Sequence, residues 1–126
     1  GVFREISCDI NETIIMVQRV IDQKVKKLAE QYIKHLRADK YPVTQAFVFG
    51  SRVRGDARKD SDLDIAIISP RVTDPIDSNA YLLCKSHELE RDEDGVYIEP
   101  HGFSPDSFVD ENPLAWEIKQ TGVPVL

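Results

Sequence analysis

The chain of 126 residues is 41% hydrophobic and 30% charged, a composition that favours a folded domain and excludes a disordered chain. Its formal net charge of −6 argues against binding to duplex nucleic acid, and its apolar runs are too short to span a membrane. Cys8 and Cys84 lie far apart, which predicts two buried, reduced thiols and a cytoplasmic protein. We therefore expect a single domain over residues 1–126, without a signal peptide and with residues 1–10 irregular.

A long amphipathic helix is predicted to begin after Asn11, whose side chain can cap the first turn. Apolar residues recur every three or four positions, while Glu and Lys occupy the other faces. The members of this apolar stripe are Ile14, Val17, Ile21, Val25, Leu28, Tyr32 and Leu36. The pair Tyr41-Pro42 is predicted to end the helix, because proline cannot continue it.

Strands and shorter helices are predicted to follow this first helix. The predicted elements are strands over residues 46–49, 62–69 and 96–99 and a helix over residues 78–90. Pro100 is predicted to stop the third strand. Ser104 and Asn112 suit helix N-caps, and Pro113 suits the first position of a last helix that leads to Gly122. This alternation of elements predicts an α/β domain of two or three layers.

The segment around Gly50-Ser51 has the features of a phosphate-binding turn. A strand that stops at Gly50 and restarts as a helix at Ser51 exposes backbone amides, and glycine lets a phosphate approach the chain closely. The Ser51 hydroxyl adds a donor, and Arg52 and Arg54 add positive charge in a geometry that suits phosphate oxygens. Gly55 then allows a sharp exit from the short helix. We therefore expect a phosphate to bind at this turn.

Two aspartates stand within the second predicted strand. Residues i and i+2 of a strand share a face, so Asp62 and Asp64 lie side by side while Leu63 and Ile65 face the core. Two unpaired carboxylates so close would repel each other, and burying them is costly. A divalent cation removes this conflict, and the oxygen ligands favour Mg²⁺ first and Mn²⁺ next. The sequence therefore predicts a metal site opposite the phosphate-binding turn.

These residues together resemble a known signature. Gly50-Ser51, Arg52, Arg54-Gly55 and Ser61-Asp62-Leu63-Asp64 are similar to the motif of the minimal nucleotidyltransferase domain, in the DNA polymerase β-like superfamily. The resemblance implies a small mixed β-sheet flanked by helices, an α/β (α+β) fold. It also implies that the Gly-Ser turn, with the arginines and Ser61, binds the triphosphate of an NTP, and that Asp62 and Asp64 bind two Mg²⁺ ions.

The resemblance also requires a third carboxylate on a later strand. Glu99 is the only acid within the third predicted strand, where the family more often has Asp. It is either a metal ligand, and then also a base for the attacking hydroxyl, or a plain surface residue. His101 next to Gly102 is interpreted as a turn residue rather than as a catalytic base.

The function implied by the resemblance is nucleotidyl transfer, most simply of AMP from ATP, to an acceptor hydroxyl. Because larger relatives carry a further domain that binds the acceptor, we expect another chain to present it here. Minimal domains of this kind often accompany a HEPN-type toxin, so an antitoxin-like subunit is expected. A silent nucleotide-binding regulatory subunit and an antibiotic-type nucleotidyltransferase stay open as alternatives, and so does a homo-oligomer.

Overall fold

The computed structural model describes residues 21–54, 62–89 and 95–126. These ranges contain four helices and a four-stranded mixed sheet, which confirms the predicted fold class. The elements are α1 (Gln23–Ala38), β1 (Gln45–Phe49), α2 (Ser51–Arg54), β2 (Leu63–Ile68), α3 (Pro75–Glu88), β3 (Ile98–Phe103), α4 (Pro113–Thr121) and β4 (Val123–Pro124). Among the described helices, none has both the length and the apolar content that crossing a bilayer requires.

The sheet has the strand order β3-β2-β1-β4. Strand β1 runs antiparallel to β2 and to β4, whereas β2 and β3 run parallel, joined by a crossover through α3. In this register Asp64 of β2 lies opposite Phe49 on one side and opposite Glu99 on the other. The C-terminal end of β1 and the N-terminal ends of β2 and β3 therefore lie side by side at the same end of the sheet.

The two faces of the sheet are covered by different helices because side chains alternate along each strand. Leu63, Ile65 and Ile67 are fully buried in a core with α1 and α3. The Tyr32 hydroxyl connects these two helices by donating to the Leu82 carbonyl oxygen at 2.7 Å. The opposite face packs against α4, and its smaller core consists of Phe49, Ala66, Ile68, Phe103, Phe108, Ala115 and Ile118. Asp64 has the same parity as Ala66 and therefore belongs to the α4 face.

The helix predicted from Asn11 is not continuous. Ile21 and Asp22 are not helical, and α1 begins at Gln23. The Asp22 side chain accepts from the Lys24 amide at 2.8 Å and so caps α1 at this point. Asn11 and the predicted irregular segment of residues 1–10 lie outside the described residues.

The end of α1 lies close to the predicted stop at Tyr41. Lys40 takes a left-handed backbone conformation with φ of 61°. The Tyr41 amide donates to the Leu36 carbonyl at 3.0 Å, and the Lys40 amide donates to the Arg37 carbonyl at 2.9 Å. These two bonds form a Schellman motif, which satisfies the last carbonyls of the helix.

Strand β3 corrects two predictions. It spans Ile98–Phe103, so Pro100 does not stop the strand and Val96 does not belong to it. The bonds from the Leu63 amide to the Tyr97 carbonyl and from the Ser69 amide to the Phe103 carbonyl direct the odd-numbered residues of β3 toward β2. The ring nitrogen of Pro100 therefore faces the open edge of the described sheet, where no amide proton is needed.

The remaining helices differ from their predictions in detail. Helix α3 begins at Pro75 rather than at residue 78, because Asp74 accepts from the Ile76 amide at 2.9 Å. Asn112 caps α4 with Pro113 at its first position, as predicted, whereas Ser104 caps only a turn.

Cys84 is exposed, so the prediction that its thiol is buried is wrong. The inward face of α3 carries Ser78, Leu82 and Ser86 at four-residue spacing, which turns Cys84 outward. The other thiol, that of Cys8, lies outside the described residues.

Candidate active site

Three side chains converge where β2 and β3 lie side by side. The register pairs Asp64 with Glu99 and Ala66 with His101. Glu99 and His101 are two residues apart on β3 and therefore share the face on which Asp64 lies. One donor atom from each of Asp64, Glu99 and His101 lies within 4.8 Å of the others. Two predicted site residues are thus brought together, with a histidine that was not predicted.

Gly50 brings the end of β1 against this group. Its φ is +81°, a left-handed conformation that side chains with a Cβ atom rarely adopt. A Cβ atom at Gly50 would lie 2.5 Å from Asp64 Oδ2. Only glycine therefore leaves space between the backbone turn and the carboxylate.

The backbone of the turn at Gly50-Ser51 forms as predicted, with a strand that ends at Phe49 and a helix that begins at Ser51, but the helix is short. Helix α2 is a single turn, in which the amides of Val53 and Arg54 both donate to the Gly50 carbonyl at 3.0 Å. One turn of helix has only a small dipole, and these two amides are already used inside the turn. A phosphate at this turn would therefore depend more on the close approach at Gly50 and on the side chains of the turn than on the helix dipole. Gly55 and Ser61 lie outside the described residues.

A cavity of about 280 Å³ opens beside this turn. Its lining residues are Phe49, Gly50, Ser51, Val53, Arg54, Asp64, Glu117 and Thr121. Arg52, which was predicted to bind phosphate, is half-buried and does not line this cavity. Arg54 is exposed and does line it, so the two arginines have different positions relative to the cavity.

Helix α4 supplies a wall that the sequence did not predict. Ala115 and Ile118 are buried against the sheet, which turns Glu117 and Thr121, four residues apart, toward the cavity. The Thr121 hydroxyl donates to the Glu117 carbonyl at 2.8 Å. No short motif marks these two residues, because their position depends on how α4 crosses the sheet.

The electrostatics of the group favour a bound cation. Glu99 is an exposed residue, yet partial burial of its carboxyl group and then the neighbouring charge of Asp64 raise the pKa of that group. His101 opposes this rise, because the positive charge of a protonated imidazole nearby favours the carboxylate form and so acts to lower the pKa of Glu99. A divalent cation would relieve the repulsion between the two carboxylates. The donor set of two carboxylates and one imidazole, with its donor atoms within 4.8 Å of one another, fits such a cation.

Asp62 occupies a different position from Asp64. It is exposed and lies immediately before β2, and it does not belong to the group that lies within 4.8 Å. Its charge still contributes to raising the pKa of Glu99, so it lies within electrostatic range of that carboxyl. The pair predicted to act side by side therefore consists of one carboxylate inside the group and one outside it.

His101 lies in a strand, so its interpretation as a turn residue is wrong. Its Nε2 atom lies 3.2 Å from Asp64 Oδ1, and its ring meets the Phe49 ring edge-on at 5.0 Å between centroids. The sequence contained a usable signal, because Glu99 and His101 have the two-residue spacing of one strand face. The prediction that Pro100 ends the strand concealed it.

A comparison with protein families identifies the type of domain. A sequence model described as nucleotidyltransferase domain matches residues 21–112, most of the chain, from the residues just before α1 to the N-cap of α4. No curated protein matches the chain. The match contains Gly50, Asp64, Glu99 and His101, whereas Glu117 and Thr121 lie beyond it. The chain belongs to the nucleotidyltransferase domain family.

Proposed function

We propose that the protein is a Mg²⁺- or Mn²⁺-dependent enzyme that transfers a nucleoside monophosphate, AMP from ATP, to an acceptor hydroxyl. The observation that carries this proposal is the approach of Gly50 to Asp64 beside Glu99. A glycine turn facing a pair of carboxylates suits a triphosphate and its cation at the same time. Family membership supports the reaction type.

The roles follow from the position of each residue. Asp64 and Glu99 would hold the cation, with Asp62 as the second aspartate of the motif. When bound, divalent cations supply charge stabilisation for the entering and leaving oxygens. Ser51 and Arg54 line the cavity and would bind the β- and γ-phosphates, assisted by Arg52 and Ser61.

The reaction exchanges one phosphorus–oxygen bond for another. The acceptor oxygen bonds to the α-phosphorus while the bond from that phosphorus to the bridging oxygen of the β-phosphate breaks. Pyrophosphate leaves with the bonding electrons, and the hydroxyl proton passes to solvent. Arg54, exposed at the cavity, would offset the charge that develops on pyrophosphate.

The first test measures cation-dependent binding of ATP by calorimetry. Wild type should bind ATP with Mn²⁺ or Mg²⁺ and lose this affinity in EDTA. Glu99→Gln removes one of the clustered carboxylates and should weaken cation-dependent binding about tenfold or more, by analogy with loss of a metal-site group. Glu111→Gln, an exposed change in the turn before α4, is the matched control and should bind as wild type does. Equal binding by all three proteins with and without cation would contradict the proposal.

We also propose that the acceptor is a protein, a HEPN-type toxin, which would make this chain an antitoxin-like subunit. Exposed apolar side chains support a protein acceptor, since Leu114 is 37% and Trp116 is 51% exposed on the helix that walls the cavity. Incubation with such a toxin, ATP and Mg²⁺ should increase the toxin's mass by one AMP. The same incubation with Asp64→Asn should leave the mass unchanged. A wild-type chain that neither modifies nor binds the toxin would contradict this role.

The position of Asp62 favours a second candidate, a nucleotide-binding regulatory subunit. With one aspartate exposed and outside the cluster, the chain would bind a nucleotide without transferring it. Such a subunit would bind ATP yet release no pyrophosphate with any acceptor. Pyrophosphate release with a small hydroxyl compound alone would instead indicate an antibiotic-type enzyme.

A further inference from the structure

His101 directs one ring nitrogen toward the carboxylate pair. Nε2 lies 3.2 Å from Asp64 Oδ1 and belongs to the three-atom group that includes a Glu99 oxygen within 4.8 Å. The side chains of His101 and Asp64 are 30% and 25% exposed, so both lie partly inside the surface. An imidazole nitrogen and two carboxylate oxygens around one space form a donor set for a transition-metal ion.

Packing fixes the direction of the imidazole ring. His101 belongs to β3, and its ring contacts the edge of Phe49, which is only 9% exposed. Phe49 is followed by Gly50, at which an added Cβ atom would lie 2.5 Å from Asp64 Oδ2. The strand end that forms the phosphate-binding turn therefore also supports the histidine, which limits the rotation of the ring away from the carboxylates.

We propose that His101 Nε2 is a direct ligand of the cation held by Asp64 and Glu99, and that this nitrogen makes the site prefer Mn²⁺ to Mg²⁺. Mg²⁺ takes oxygen ligands and keeps several of its waters. Imidazole binds divalent transition-metal ions more strongly than it binds Mg²⁺. The inference rests on the proposed function for the presence of a cation. It goes beyond that function by assigning a ligand and a metal preference.

A purely orienting role for His101 is the competing explanation. In that case Nε2 carries a proton and donates it to Asp64, which positions the carboxylate for a cation that the imidazole does not touch. The same nitrogen cannot donate a proton to Asp64 and bind a metal, because its lone pair is available only in the other tautomer. The two roles therefore differ in whether a nitrogen is bonded to the metal.

Pulsed electron paramagnetic resonance of Mn²⁺ bound to the full chain, without nucleotide, tests this bond directly. Wild type should show the coupling of a ¹⁴N nucleus bonded to Mn²⁺, and labelling the histidines with ¹⁵N should replace it with the ¹⁵N pattern. His101→Gln should lose the coupling, while His87→Gln, on the exposed side of α3, should retain it. The isotope experiment uses unmutated protein, so it remains decisive even if His101→Gln fails to fold.

Metal competition tests the preference. His101→Asp replaces the nitrogen with an oxygen donor and should lower the ratio of Mn²⁺ to Mg²⁺ affinity about tenfold or more. Bound Mn²⁺ without nitrogen coupling, or an unchanged affinity ratio, would overturn the role of His101 and leave the proposed function intact. Failure of wild type to bind Mn²⁺ at all, with or without ATP, would overturn both.

Discussion

Gly50 satisfies two requirements that no other amino acid meets together. Its backbone has φ of +81°, and its missing side chain leaves the space in which Asp64 Oδ2 lies. The first requirement concerns the local backbone, and the second concerns a contact between strands. Only the second connects the turn to the chemistry of the carboxylates, so the two should be separable by experiment.

Gly50→Ala should destabilise the protein more than Gly95→Ala. Gly95 has φ of +76° with no atom within 4 Å of an added Cβ, so its change costs only the backbone term of about 1–2 kcal/mol. Gly50→Ala adds an overlap with Asp64 at 2.5 Å and should also weaken ATP binding. Urea unfolding of both variants measures the difference. An equal loss of unfolding free energy in the two variants would show that Asp64 moves aside without cost.

At the scale of elements, a polar network joins the C-terminal ends of α1 and α3. His35 Nε2 lies 2.7 Å from Glu88 Oε1, and Lys85 Nζ lies 3.2 Å from Glu88 and 3.3 Å from Asp39. The Tyr81 hydroxyl donates to Asp39. The hydrogen bond from Tyr81, and then the one from Lys85, lowers the pKa of Asp39. The network therefore stabilises the ionised form of this carboxyl.

Asp39→Asn should reduce stability at neutral pH and not in acid. A carboxyl whose pKa is lowered by folding contributes stability above its unfolded value of 3.8, and this contribution is lost as pH falls through the lower folded value. The difference in unfolding free energy between wild type and variant should therefore shrink below pH 3.8. Because Asp39 is exposed, the loss of stability in Asp39→Asn should be small and should become smaller with added salt. Glu30→Gln on the exposed face of α1 is the control, and a difference constant with pH would contradict the role of ionised Asp39.

Elements with one dominant local signal were predictable. A run of bulky apolar residues that ends at Phe49 predicted β1, and the N-cap Asn112 predicted the start of α4. Each signal acts within a few residues, and both elements form as expected. The continuation of β3 through Pro100 was not predictable in this way, because proline is excluded from central strands but accepted at an edge. Whether Pro100 lies at an edge depends on the order of the whole sheet, which no local pattern contains.

The candidate site likewise contains residues that a local pattern identified and residues that depend on the tertiary structure. The motif brought attention to Gly50 and Asp64, and the structure places them in contact distance. Glu99 was named because it is the single acid of its predicted strand, and the parallel register then pairs it with Asp64. His101 and Glu117 required knowledge of strand length and of how α4 crosses the sheet, which are tertiary facts.

At the scale of the whole molecule, the sheet places its larger hydrophobic core and its clustered carboxylates on opposite faces. Its face toward α1 and α3 holds the larger core, whereas its face toward α4 holds the smaller core and the carboxylates. Strand β2 contributes to both through alternate residues. Consecutive residues of β2 therefore point alternately into the larger core and toward the face that carries the carboxylates.

Asp64 and Ile65 allow this separation to be tested within one strand. Ile65 is fully buried, so Ile65→Val should lower the unfolding free energy by about 0.5–1.5 kcal/mol and leave Mn²⁺ affinity unchanged. Asp64→Asn removes one of two repelling carboxylates, so it should keep or raise stability in metal-free buffer while Mn²⁺ affinity is lost. Denaturant unfolding and Mn²⁺ titration of both variants measure the two effects. Changes at independent positions should have independent effects, so Asp64→Asn should not lower stability and Ile65→Val should not weaken Mn²⁺ binding. If Asp64→Asn unfolds as easily as Ile65→Val, or if Ile65→Val weakens Mn²⁺ binding, the two faces of the sheet are coupled.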